Sequence, residues 1–151
     1  MGNLSKIITG QGAIVAALAL AFPDVVVRNG EALSEDWGGE WLNVVKAPAP
    51  PQILNEVLGL GEDLVEVEFA QVYHVEYIVR RADDGHRAAR FSAGLAAIQT
   101  ALHADRTLGG LARALVIGPP NFENHRFAYD AKSSAVVIPV RVTYAGHSPI
   151  D

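Results

Sequence analysis

Carboxylates and histidines are the side chains of this sequence best suited to chemistry, and their spacing decides what they can do. Glu66, Glu68 and Glu76 fall on even positions of one alternating stretch, with Glu62 and Asp63 just before it. On a regular strand Glu66 and Glu68 share a face about 7 Å apart, and paired carboxylates can serve as acid and base. That work needs desolvated surroundings that separate two pKa values, and apart from neighbouring aromatic residues the sequence supplies none. A solvated face is the plainer expectation. His74, His86, His103, His125 and His147 are scattered, with no H-x-x-x-H or H-E-x-x-H pair to grip a metal. There is no cysteine, which excludes disulfides, cysteine-ligated zinc and thiol nucleophiles. G-x-S-x-G and Walker patterns are also missing. Gly10-Gln11-Gly12 begins like a dinucleotide fingerprint, but its third small position is Val15 and only Lys6-Ile7-Ile8 precedes it as a strand. No cofactor and no metal are expected.

The element that must position the carboxylates runs from Leu64. Val65, Val67, Phe69, Tyr73, Val75, Tyr77 and Val79 alternate with Glu66, Glu68, His74, Glu76 and Arg80, the mark of a long half-buried strand. After Asp83-Asp84-Gly85 the period changes. Phe91, Leu95, Ile98 and Leu102 recur at helical spacing, predicting an amphipathic helix over 86–103. Thr107-Leu108-Gly109-Gly110 follows Asp105-Arg106 and predicts a turn, because paired glycines tolerate positive φ where the helix stops.

Upstream, Leu4, Ile7, Ile8, Ile14, Val15, Leu18 and Phe22 mark one stripe of an N-terminal helix that Pro23 ends. A rival reading is a signal peptide, since Lys6 precedes an apolar run ending in Ala19-Leu20-Ala21. Val25 to Arg28 reads as a short strand, and Asn29-Gly30 as the turn of a hairpin. Trp41 to Val45 suits a strand covered on both sides. Trp37 and Trp41 are expected to pack rather than bind, with Trp37 the more exposed. Ala47-Pro48-Ala49-Pro50-Pro51 reads as an extended spacer, and Gln52 to Leu58 as a short helix, making residues 30–61 an excursion rich in proline and glycine. Leu111 to Ile117 is an apolar run stopped by Gly118-Pro119-Pro120, and Arg126 to Asp130 is short and aromatic-flanked. Val136, Ile138, Val140, Val142 and Tyr144 then alternate in a last strand. Pro139 within it predicts an edge or a bulge, open to a neighbouring subunit.

Composition bounds the answer. A chain of 151 residues, half of them hydrophobic and 19% charged, suits one globular domain with a sizeable core. The net charge of −5 gives no broad attraction to nucleic acid. The run Ala13 to Phe22 falls short of the ~20 residues that cross a bilayer, so a soluble protein without membrane contact is expected. The fold class expected is α+β, a mixed or largely antiparallel sheet with an N-terminal helix and one long amphipathic helix packed on it.

The strand VYHVEYIVRR, the helix RAARFSAGLAAIQTAL, the run HADRTLGGLARAL and the closing SAVVIPVRVTY together resemble the tail terminator, or tail completion, proteins of long-tailed bacteriophages and phage-derived gene transfer particles. The resemblance covers roughly residues 64 to 145. It implies a non-enzymatic assembly component that forms a ring, usually hexameric, capping the tail tube. It further implies a tail-tube protein on one face, a neck or stopper protein on the other, assembly in the bacterial cytoplasm and a place in the virion tail or neck. DNA would pass through the ring without specific binding, and Glu66, Glu68 and Glu76 would suit a lumen that does not hold phosphate. Trp37, Trp41, Pro139 and Arg141 are further interface candidates. The alternatives are another neck or tail-tube component, or a small ligand-binding protein or enzyme using an apolar pocket under helix 86–103.

Overall fold

A computed structural model describes residues 3–32, 37–58, 65–122 and 132–146. Its elements are α1 (Asn3–Ala21), β1 (Val26–Asn29), β2 (Glu40–Lys46), β3 (Gln52–Leu58), β4 (Val65–Arg80), α2 (Asp84–Ala104), β5 (Ala114–Ile117) and β6 (Ser133–Gly146). All six strands belong to one mixed sheet, ordered β1-β2-β4-β6-β5, with β3 pairing β4 beyond the end of β2. The fold is α+β, with both helices packed on the sheet.

The alternation in β4 does the sorting. Its odd residues from Val67 to Val79, apart from Gln71, join the apolar core with Val136, Ile138, Val140, Val142 and Tyr144 of β6. Ile7, Ile14, Leu18 and Phe22 of α1 and Ile98 and Leu102 of α2 cover that face. The α2 helix begins where Asp83 accepts a hydrogen bond from the His86 amide at 2.8 Å, a side-chain cap for an otherwise orphaned donor. It ends at the expected turn. There Leu108, Gly109 and Gly110 have φ of 50°, 71° and 89°, and the Asp105 carboxylate accepts from the Gly109 amide at 2.7 Å.

Four expectations change. The strand closed by Asn29-Gly30 is not half of a hairpin: β1 pairs β2 in parallel, so the chain must cross over before β2 begins. Gln52–Leu58 is a strand rather than a helix. Ile53, Leu54, Val57 and Leu58 fit a helical stripe, but β4 extends past β2 with an unpaired edge, and β3 satisfies those backbone groups from Val65 to Ala70. The proline-rich segment is therefore no excursion. The Ala47 amide still bonds Val72 O at 2.9 Å, and Gln52 resumes the ladder opposite Ala70, so the prolines join β2 to β3 along one side of β4.

Pro139 supplies the fourth correction. It lies inside β6, which pairs β4 on one side and β5 on the other, so this strand is not an edge. Its missing donor faces the place where β5 has just ended. There the Gly118 amide donates to Pro139 O at 2.8 Å, and Asn121 takes up the pairing with Val137. A proline costs little where the ladder is already interrupted. The expected segment Arg126 to Asp130, with His125 and His147, lies outside the described residues.

Candidate functional site

With the helices on one face, the other face of the sheet and its strand edges are the surfaces left for function. Trp41 and Ile78 of this second face are buried with Ala135 and Val137, and Trp37 packs against them. The two tryptophan rings meet edge-on at 4.7 Å, and the Arg28 guanidinium lies 4.2 Å from the Trp37 ring centre. Both tryptophans are packing residues, Trp41 fully buried and Trp37 partly so.

Beside this lid the face turns polar. Asn43 clamps the backbone of Glu31, accepting from its amide at 3.2 Å and donating to its carbonyl at 2.9 Å, and also donates to Glu76 Oε1 at 3.2 Å. Glu76 is only 3% exposed. A buried carboxylate engaged by an amide is neither a solvated face nor a free wall for DNA, which corrects the expectation for this residue. Val45, Lys46, His74, Glu76, Asn121, Val137 and Pro139 line a hollow of about 500 Å³ on this face. No group of three metal-binding side chains forms among the described residues.

The remaining candidates do not converge on one centre. Glu68 pairs with Arg113 at 2.9 Å. Glu66 sits opposite Val57 in the ladder, and its side chain lies outside the described residues. Arg141 is exposed on β6. The space under α2, the suggested ligand pocket, is filled by Gly94, Ile98 and Leu102.

One charged cluster went unnoticed in the sequence. Arg90 of α2 grips Glu40 of β2 with contacts of 2.6 and 2.8 Å, and Tyr77 donates to Glu40 Oε2 at 3.1 Å. The Glu40 hydrogen bond raises Arg90 above its usual range, so the cation is fixed. Burial, and then the Glu40 charge, raise Tyr77. Fifty residues separate Glu40 from Arg90, and no local pattern joins them. Arg81 also lies 3.9 Å from Glu40, and the cluster clamps α2 to the start of β2.

Strand edges complete the surface. Among the described residues no strand pairs with the outer side of β1 or of β5. Val26 and Val116 are 59% and 58% exposed there. Fold and surface define an α+β sheet protein with one helix-covered face, a second face partly covered by Trp37 and Trp41 and, among the described residues, unpaired outer sides on β1, β3 and β5. No family model and no curated protein matches the chain. A solved structure whose name carries no functional word resembles it at 14% identity over 89% of this chain and 94% of its own, with a TM-score of 0.37.

Proposed function

We propose that this protein is a ring-forming assembly component of a phage-like tail, a tail terminator, acting between the tail-tube protein and a neck or stopper protein. The observation that carries the reading is that, among the described residues, β1 and β5 at opposite ends of one sheet leave their outer sides unpaired, edges that copies of the same subunit would complete. The pattern of residues 64–145 supports the same class. Net negative charge supports passage of DNA without adhesion, resting on the chain's −5 rather than on Glu76, which is buried, or Glu68, which is paired with Arg113. Nothing in the reading needs an enzyme centre or a cofactor.

Native mass measurement and electron microscopy of the purified protein test it. Closed rings that do not polymerise, and that bind the end of assembled tail tubes, are the expected result. A compact monomer at every workable concentration that also ignores tubes overturns the reading. Rings that grow into tubes favour a tail-tube component instead.

A further inference from the structure

We infer that neighbouring copies join through their sheets: β1 of one copy pairs antiparallel with β5 of the next, with Val26 opposite Val116. The inference rests on the ring reading above and names the surface that builds the ring.

Strand direction comes first. β1 runs parallel to β2, and each step from β2 to β4, β6 and β5 reverses direction, so β1 and β5 run opposite ways. A rotation about an axis along the strands keeps those directions. It therefore sets β1 beside a neighbour's β5 as an antiparallel pair, the arrangement in which short strands bond well.

Backbone phase agrees. The Gly118 amide bonds Pro139 O, so the even residues of β5 face β6 while Leu115 and Ile117 turn outward. The Arg80 amide bonds Gly39 O, so odd residues of β2 face β4 and even ones face β1. With Val27 level with Leu42, the groups of Val26 and Arg28 turn toward β2, and those of Val27 and Asn29 turn outward. Setting Val27 opposite Leu115 makes that pair hydrogen-bonded and leaves Val26 opposite Val116 as the close, non-hydrogen-bonded pair.

Side chains agree as well. In that register Val25 meets Ile117, Val26 meets Val116 and Val27 meets Leu115, three apolar pairs in a row. Val25, Val27 and Ile117 already pack against the helix-side core, so the joint prolongs that core across the boundary. Val26 aligns with Trp41 and Val116 with Arg141, both on the face away from the helices, where one contact covers two exposed valines. No like charges oppose each other: Arg28 meets Ala114 and Asn29 meets Arg113. β5 itself carries no charge or proline, the usual defences of an edge. Because the two surfaces differ, the contact is head-to-tail and closes when the rotation divides a full turn.

The absence of native cysteine makes the test clean. Opposed residues in a non-hydrogen-bonded pair have Cα atoms about 4.5 Å apart, within disulfide range. The full-length double variant Val26→Cys/Val116→Cys, oxidised and run on a denaturing gel without reductant, should give a ladder of covalent oligomers ending at the ring size, while each single variant runs at the mass of one chain. Val116→Lys should lose the ring, and Val26→Glu/Val116→Lys should recover its mass. Wild-type rings with no ladder, or a Val116→Lys variant that assembles normally, overturn this joint and leave the ring reading standing. A wild-type protein that never assembles overturns both.

Discussion

The hydroxyls of Tyr73 and Tyr144 lie 2.7 Å apart beneath α1, and Tyr73 also reaches Ile7 O at 2.7 Å. Tyr73 has one proton and gives it to that carbonyl, so Tyr144 donates to Tyr73. Gly10 sits on this pair: a Cβ there would overlap Tyr144 Oη. Gly94 of α2 has the same relation to Tyr77, whose ring stacks on Phe91 at 5.7 Å. Both helices approach the sheet through a glycine set over a tyrosine hydroxyl.

Gly10→Ala and Gly94→Ala should therefore each destabilise the protein by about 1–3 kcal/mol, because overpacking outweighs the gain in helix propensity. Gly12 has nothing within 4 Å of an added Cβ. Gly12→Ala should instead stabilise by about 0.5–1 kcal/mol. Urea midpoints at constant m-value read all three, and equal signs at positions 10 and 12 would refute the packing account.

Alkaline pH should unfold the protein through its tyrosines. Burial pushes Tyr144 up to about 12, and burial also raises Tyr73 and Tyr77 above their usual value of 10.0. The folded state then holds protons that the unfolded state releases, so this stability is complete below about pH 10 and declines above it. The loss should reach about 1.4 kcal/mol per pH unit for each tyrosine in its window. Tyrosinate absorbance should show these three ionising with the unfolding transition, and ionisation in the intact fold near pH 10 would contradict it.

Removing one partner of the Glu40–Arg90 clamp should cost more than removing both. Side-chain exposures of 12% and 34% make the pair partly buried, so Arg90→Ala should cost about 1–3 kcal/mol, discounted for the solvent that reaches the arginine. A double-mutant cycle with Glu40→Ala should show the coupling, and simple additivity would show that none exists.

The turn after α2 should resist side chains in the left-handed region. Gly110→Ala, at a φ of 89°, should cost about 1–2 kcal/mol in thermal or urea unfolding. Asp105, which accepts from the Gly109 and Thr107 amides, is held below the usual carboxylate range. Its contribution should persist above pH 3.8 and fade as pH drops through the lowered value, which an Asp105→Asn variant should abolish.

Much of the architecture follows from local pattern. The alternation of β4 and β6, the stripes of α1 and α2, and the Thr107–Gly110 turn each depend on residues close in sequence, where period and backbone preference act directly. Pairing is a different matter. Val26–Arg28 looks like a hairpin arm until β2 is found parallel to it, and Gln52–Leu58 looks helical until the unpaired length of β4 claims its backbone. Glu76 reads as one carboxylate of a solvated row, yet its register places it opposite Asn43. The amino-acid order alone determined which segments alternate and which spiral. Only the tertiary structure decided which edges stay open, which carboxylate is buried and which arginine holds Glu40, because each depends on groups brought together across dozens of residues by a sheet that must satisfy its own hydrogen bonds.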